Sequence, residues 1–222
     1  MDEMILYHGS DVMVKRPLFG HGNRNNDYGQ GFYCTRDIEL AREWACKDDR
    51  GGFVNTYGFN TEDLRVFELN NRSIIEWLAI LLKNRKIRYS SPIEKMTAEY
   101  LMEHYLPDVS GYDVITGYRA DDSYFSFARA FLSNTIALQQ LAGAMKLGNL
   151  GKQVFIKSEV AFEHLSFVEA EMVSGAVYYA KRIDRDLSAR ETFDRMLEEG
   201  ITDGMFARDI LREEPDIHEL CL

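Results

Sequence analysis

Two short segments near the start of the chain decide the expected fold: Leu-Tyr-His-Gly-Ser at residues 6–10 and Tyr-Gly-Gln-Gly-Phe-Tyr-Cys-Thr at residues 28–35. Each combines apolar residues with glycine and an aromatic side chain, which is typical of a strand that ends in a tight turn. The polar segment between them is longer than most connections in compact domains, and such long loops usually serve binding. We therefore expect the two strand ends to meet at a binding site.

The length and composition indicate one packed domain with an extension. The chain has 222 residues, 45% of them hydrophobic and 12% aromatic, which is enough for a packed core. No apolar run reaches the ~20 residues that a membrane helix needs. The first four residues carry acidic side chains, unlike a secretory signal. The sequence predicts a cytoplasmic protein without a membrane partner, with a domain over residues 1–185 and an acidic helical extension over residues 186–222.

The net charge of −10 is concentrated in that extension, which holds 11 acidic and 4 basic side chains. An acidic chain is not expected to bind nucleic acid non-specifically, although a local basic groove stays open. We expect a helix from Ser188 to Gly200 with Phe193, Met196 and Leu197 as an apolar stripe. This helix is interpreted either as a solvated face or as a surface for a basic partner.

The cysteines and histidines show no metal-site pattern. The three cysteines are widely spaced without a Cys-x-x-Cys pair, and no two of the five histidines stand four residues apart. We expect reduced thiols and no bound metal.

Strand and helix patterns alternate without a regular βαβ order, which favours an α+β fold. Two capping boxes, starting at Ser73 and Ser91, predict a helical insertion at about residues 73–106. Strands are expected at residues 4–7, 53–59, 64–69, 112–117, 153–157 and 167–173. Helices are expected after residue 35 and at residues 124–131, 135–147 and 202–211.

The two opening segments resemble the first and second motifs of the ADP-ribosyltransferase superfamily, in the H-Y-E branch of poly-ADP-ribose-polymerase-like and diphtheria-toxin-like enzymes. More narrowly, the chain is similar to a bacterial domain family of unknown function that is often encoded in toxin–antitoxin pairs, and residues 112–122 share this likeness. The resemblance spans residues 4–173. It implies a split, mostly antiparallel sheet with flanking helices that holds NAD in a cleft.

The resemblance implies a role for each motif residue. His8 would donate a hydrogen bond to a ribose hydroxyl, and the backbone at Gly9 and Ser10 would bond the nicotinamide carboxamide. Tyr33 would stack on the nicotinamide ring. Further contacts with NAD are expected from Gly31, Thr35 and Arg24, the last through the pyrophosphate.

The third position of the branch begins a late strand and is usually glutamate, whereas this chain has Gln153 there. An amide can hold a ribose hydroxyl but carries no negative charge. Asp121 or Asp122 is a candidate replacement for the carboxylate, or else a helix N-cap. Glu159 is a weak candidate because six residues of extended strand span ~20 Å.

The implied catalytic residues are therefore His8, Tyr33 and Gln153. The implied activity is mono-ADP-ribosyl transfer from NAD to a macromolecular acceptor, protein or nucleic acid, with release of nicotinamide. NAD is then a substrate, and an antitoxin protein is a possible partner. Two alternatives stay open: a non-catalytic module that binds NAD or ADP-ribose, and an NAD glycohydrolase.

Overall fold

The computed structural model describes residues 3–120, 122–145, 151–200 and 204–221, and of residues 122–124 it describes the backbone alone. Seven strands form one sheet: β1 (Glu3–Ser10), β2 (Phe32–Thr35), β3 (Gly52–Asn60), β4 (Val66–Glu68), β5 (Val114–Tyr118), β6 (Lys152–Ile156) and β7 (Leu165–Val173). The α-helices are α1 (Ile38–Ala45), α2 (Ile74–Asn84), α3 (Pro92–Tyr105), α4 (Asp122–Leu132), α5 (Leu138–Ala144), α6 (Glu159–Glu163), α7 (Gly175–Glu199) and α8 (Ala207–Glu213). The predicted α+β class is confirmed.

The strand order is β4-β5-β6-β2-β1-β3-β7. The β4–β5 pair is parallel and the other neighbours are antiparallel, so the sheet is mixed but mostly antiparallel. Strands that neighbour in the sheet are often far apart in sequence, which places β6 beside β2 and β1 beside β3. This order brings both opening segments and the late strand to the middle of the sheet.

The sheet opens between β1 and β2. Strand β1 pairs with β3 along its whole length, from Glu3 to Ser10, but it pairs with β2 only where Tyr7 faces Thr35. Beyond this bridge the two strands diverge, and His8 stands at the point where they part. The opening lies at the end of the first segment, where the sequence predicts a turn.

The predicted insertion consists of α2 and α3. The Ser73 hydroxyl accepts from the amide of Ile75, and the Ser91 hydroxyl accepts from the amide of Glu94, so both expected N-caps are formed. Trp77, together with apolar neighbours on α2, is buried in the main core. The insertion therefore packs against one face of the sheet, where its apolar residues share a core with Ile115 of β5 and Phe155 of β6.

Helix α1 packs directly on β1 at Gly9. A Cβ at this position would overlap the carbonyl oxygen of Ala41 and the backbone of Ala45. A residue without a side chain is required here, because helix and strand approach to backbone contact. Asp37 caps the helix, with its carboxylate accepting from the amides of Glu39 and Leu40.

The C-terminal helix differs from the prediction. Helix α7 begins at Gly175 rather than at Ser188, although it ends before Gly200 as expected. The boundary predicted at residues 185/186 falls inside this helix. Phe193 is buried and stacks on Phe127 with ring centroids 4.1 Å apart.

The apolar stripe of Phe193, Met196 and Leu197 therefore takes part in the packing of the chain itself. Met196 and Leu197 pack against the same core as Phe193, so all three apolar residues contact the rest of the chain. The tail beyond α7 is also anchored, because the hydroxyl of Tyr105 donates to the carbonyl of Pro215 at 2.8 Å. Within the described residues, none of the helices has the length and apolar character needed to cross a membrane.

Candidate functional site

A cavity of about 530 Å³ lies at the opening between β1 and β2. This volume is in the usual range for small-molecule sites. We call it the central pocket. The described residues that line it come from β1, the loop after it, β2, α1, the end of α2, the end of β5 and β6: His8, Gly9, Val14, Arg16, Pro17, Leu18, His21, Gly22, Asn26, Asp27, Gly31, Phe32, Tyr33, Trp44, Arg85, Arg119, Ala120 and Gln153.

His8 bridges the diverging strands. Its Nδ1 lies 2.7 Å from the carbonyl oxygen of Tyr33, and its ring packs on Phe32 with centroids 4.3 Å apart. A carbonyl only accepts, so Nδ1 carries the hydrogen and, in the neutral ring, Nε2 is an acceptor. Burial lowers the pKa of His8, which favours this neutral form. The side chain therefore offers an acceptor to a ligand, whereas the resemblance implied a donor.

Tyr33 is held by its hydroxyl and by one side of its ring. The hydroxyl donates to the carbonyl of Gly29 at 2.7 Å and accepts from the amide of Tyr28 at 3.0 Å. Its ring lies 4.7 Å from that of Phe155, and burial raises the pKa of the phenol. Because the hydroxyl is engaged with the loop, the ring is what Tyr33 presents to the central pocket.

Gln153 is buried, with 2% of its surface exposed. It faces Gly117 across the β5–β6 pair and Thr35 across the β2–β6 pair. Its Nε2 donates to the carbonyl of Tyr118 at 3.0 Å and to the carboxylate of Asp27 at 3.2 Å. Both of these partners only accept, which fixes the nitrogen toward them and leaves Oε1 as the acceptor of this side chain.

Asp27 is the carboxylate of the central pocket. It is 3% exposed and lies at the end of the long loop, directly before the second motif. One oxygen accepts from Nε of Arg85 at 2.9 Å, and the other accepts from the amide of Ala120 at 2.8 Å and from Gln153. Four atoms thus hold this charge in place, counting the second Arg85 nitrogen at 2.7 Å.

The described lining of the central pocket has more basic than acidic side chains, although the chain as a whole is acidic. It holds the guanidinium groups of Arg16, Arg85 and Arg119 and, among the described residues, one carboxylate, that of Asp27. Arg119 lies over the ring of Trp44 at 4.8 Å. A pocket with this balance favours an anionic ligand, since the local charge rather than the net charge of −10 acts on it.

Five of the residues expected from sequence line the central pocket: His8, Gly9, Gly31, Tyr33 and Gln153. Gly31 is required by packing, because a Cβ there would overlap the ring of Phe155 and the carbonyl of Ile156.

Three of the expected residues lie outside it. The Ser10 hydroxyl accepts from the amide of Val12 and donates to Asp11. The exposed Arg24 donates to the side chain of Gln30 at 3.3 Å. Thr35 is buried, and its hydroxyl donates to the carbonyl of Lys152.

Asp27 was not among the candidate carboxylates that the sequence suggested. Asp121 lies outside the described residues, and of Asp122 only the backbone is described, as the first residue of α4. Glu159 is exposed on α6, because the chain turns into a helix after β6 instead of continuing as a strand. No cluster of three or more potential metal-binding side chains occurs in the part of the chain that the structure describes.

Sequence reasoning missed Asp27 and Arg85. The local sequence of Asp27 is one more polar residue in an asparagine-rich loop, and Arg85 follows a helix 58 residues later. Only the pairing of strands distant in the chain brings the two together. The one feature of the sequence that could have pointed to Asp27 is its position directly before the Tyr28-Gly29 motif.

Comparison with known proteins gives a family but no named relative. Neither the curated proteins nor the solved structures contain a match to this chain. A family described as "Protein of unknown function (DUF3990)" matches residues 4–167, from β1 into β7. All residues of the central pocket lie within this range, and α7 and the tail lie beyond it. The chain belongs to this family, DUF3990.

Proposed function

We propose that the chain is a mono-ADP-ribosyltransferase, which takes ADP-ribose from NAD, releases nicotinamide and modifies a macromolecular acceptor. The observation that carries this proposal is the meeting of His8, Tyr33 and Gln153 at one opening in the sheet. The resemblance assigns these three positions to the three NAD-contacting motifs of the H-Y-E branch. The opening between β1 and β2 supports an ADP-ribosyltransferase-like split sheet.

The pocket chemistry fits NAD. The pyrophosphate is an anion, and the described lining offers Arg16 and Arg119 in addition to Arg85, which is paired with Asp27. The aromatic side chains of Tyr33 and Trp44 offer faces for the nicotinamide or adenine ring. The Nε1 of Trp44 is buried without a hydrogen-bond partner among the described residues, so an acceptor on the ligand would satisfy it.

His8 would hold the ribose as an acceptor. Its neutral ring presents Nε2, which can accept from a ribose hydroxyl while Nδ1 stays on the Tyr33 carbonyl. A fixed ring of this kind binds without losing further side-chain freedom. Gly9, directly after it, lets the backbone of β1 come close to the ligand.

Gln153 and Asp27 would act as one unit. The Asp27 carboxylate draws on the amide hydrogen of Gln153, which increases the negative partial charge on Oε1. That oxygen can accept from a ribose hydroxyl and stabilise the positive charge that develops on the ribose. The pair supplies part of the negative charge that a glutamate at position 153 would provide. The full charge sits on Asp27, behind the amide that would contact the ligand.

The reaction is a substitution at the ribose carbon that carries nicotinamide. A nucleophilic oxygen or nitrogen of the acceptor forms the new bond, while the carbon–nitrogen bond breaks and its electron pair leaves with neutral nicotinamide. The acceptor loses one proton to the solvent. A glutamine offers no base for a second ribose hydroxyl, so we expect one ADP-ribose per site.

Nicotinamide release tests this function against its alternatives. The chain is incubated with adenine-labelled NAD and cell extract, and nicotinamide and labelled products are quantified. Transfer predicts nicotinamide and label on macromolecules in equal amounts. Nicotinamide with free ADP-ribose alone would identify a glycohydrolase, and binding without nicotinamide would identify a non-catalytic module.

The toxin role and the antitoxin partner stay part of the proposal. Inhibition of bacterial growth on expression, abolished by Gln153→Ala, would support them.

A further inference from the structure

A second groove lies behind one wall of the central pocket. It measures about 660 Å³ and runs between the loop at residues 15–21 and helix α6. We call it the outer groove. Arg16, Pro17, Leu18 and His21 line both spaces. Because only this loop separates them, a molecule in the outer groove lies beside whatever the central pocket holds.

The groove exposes large apolar side chains. Leu18 is 53% exposed and Phe19 is 52% exposed, next to each other on the loop. The Phe19 ring packs edge to face on Phe162 of α6, with centroids 5.7 Å apart. Contiguous exposed apolar and aromatic residues mark binding surfaces on proteins that are otherwise well packed.

The loop is held in place at several points. The amide of Val14 donates to the buried side chain of Asn55 at 2.7 Å, and the hydroxyl of Tyr57 donates to the Val14 carbonyl. Further along, the side chain of Gln30 donates to the carbonyl of Gly20 at 2.5 Å. A surface fixed in this way loses little freedom when a partner binds.

The charges of the groove are balanced. Lys15 and Arg16 on the loop face a groove whose other wall carries Glu159 and Glu163, one turn apart on α6. Nucleic acid needs an excess of basic groups, and the two carboxylates would repel its phosphates. The groove instead combines aromatic and apolar side chains with charges of both signs, a mixture that suits a protein partner better than nucleic acid.

We infer that the outer groove is the acceptor site and that the acceptor is a protein. This inference rests on the proposed transferase function and narrows its substrate to one class. An oxygen or nitrogen of a protein side chain reaches the ribose past the shared wall and replaces nicotinamide there, giving up its proton. Phe19 is then the anchor that the acceptor protein packs against.

The test measures where the label of adenine-labelled NAD goes in a cell extract, together with nicotinamide release. The proteins compared are wild type, Phe19→Ser, Phe19→Leu and Met172→Ser. Met172 is the matched control, because it is 77% exposed on β7, away from both cavities. Melting curves establish that each variant is folded.

We expect the label on proteins other than the chain itself. The rate of protein labelling should fall at least about tenfold in Phe19→Ser, as for loss of an interface anchor. Nicotinamide release should fall with it, because transfer forms the two products together. Phe19→Leu should keep most of the labelling rate and Met172→Ser all of it.

Label in nucleic acid, or an unchanged rate of protein labelling by folded Phe19→Ser, would overturn the acceptor assignment while leaving the transferase intact. Absence of nicotinamide release from wild type would overturn the transferase, and this assignment with it.

Discussion

At the scale of single residues, the pair formed by Gln153 and Asp27 carries the chemistry of the proposed reaction. The amide nitrogen lies 3.2 Å from the carboxylate. Gln153→Ala should lower nicotinamide release by about 10²–10³-fold, the usual cost of one oriented donor or acceptor in a catalytic site. Gln153→Glu should also be poor at neutral pH, because it places a second carboxylate against Asp27.

Exchanging the two groups gives a sharper test. The double variant Gln153→Glu/Asp27→Asn restores one amide and one carboxylate, so it should be more active than either single variant. The measurement is kcat and KM for nicotinamide release in a double-mutant cycle. Asp113→Asn is the control, since this carboxylate accepts from the amide of Arg65 outside the central pocket. Additive losses would mean that the pair does not act as a unit.

His8 gives the site a pH dependence. Burial lowers the pKa of His8 below its ordinary value of 6.5. Protonation converts Nε2 from an acceptor into a donor, so we expect NAD affinity to hold down to about pH 6.5 and to fall below it. The unfolded chain takes up this proton at higher pH than the folded one, so folding stability also decreases as the pH falls through 6.5.

Calorimetric NAD titrations between pH 7.5 and 5 measure this effect. The acid-side loss should disappear in His8→Gln, which keeps an acceptor that does not titrate, and should persist in His21→Gln. An identical acid-side loss in wild type and His8→Gln would assign it to another group.

The residues of the central pocket show which parts of the site could be predicted from the sequence. The glycines and aromatic residues of the two motifs predicted two strand ends, and residues of both ends line the central pocket. Asp27 was not predicted, because its role depends on Arg85 and on Ala120, which reach it only after the sheet has assembled. Local sequence does not encode such contacts, and for the same reason it did not single out the three arginines that line the central pocket.

At the scale of elements, capping signals predicted α2 and α3 well, but they misplaced α7. Ser188 has the sequence context of an N-cap, yet it lies inside a continuous helix. The true start at Gly175 is set by packing, since a Cβ there would overlap the backbone of Asp49. Tertiary contact decided this boundary, not local propensity.

The far end of α7 should be essential for stability. Phe193→Ala removes a buried ring stacked on Phe127 and should lower the free energy of unfolding by about 3–5 kcal/mol. Val177→Ala on the same helix is the control, because Val177 is 48% exposed. Urea unfolding measures both. A loss below about 1 kcal/mol in Phe193→Ala would show that the tail packs loosely and is open to a partner.

At the scale of the whole molecule, the fold explains how several arginines come together in one pocket of an acidic chain. The acidic side chains of residues 186–222 lie on α7 and the tail, outside the range matched by the family. The arginines of the central pocket come from the loop, from the end of α2 and from the segment after β5. Charge is thereby separated in space, which composition alone does not reveal.

The central claim is that the opening between β1 and β2 binds NAD, and a calorimetric titration of NAD tests it most directly. Tyr33→Ala should weaken binding by about 1–3 kcal/mol, the worth of a buried aromatic stack. Tyr33→Phe should bind nearly as wild type does, because the hydroxyl bonds the loop and not the ligand. Arg24→Ala, outside the central pocket, serves as the control. We expect one site per chain with this order of affinities; no NAD binding by wild type, or equal affinity in folded Tyr33→Ala, would show that the opening is not an NAD site.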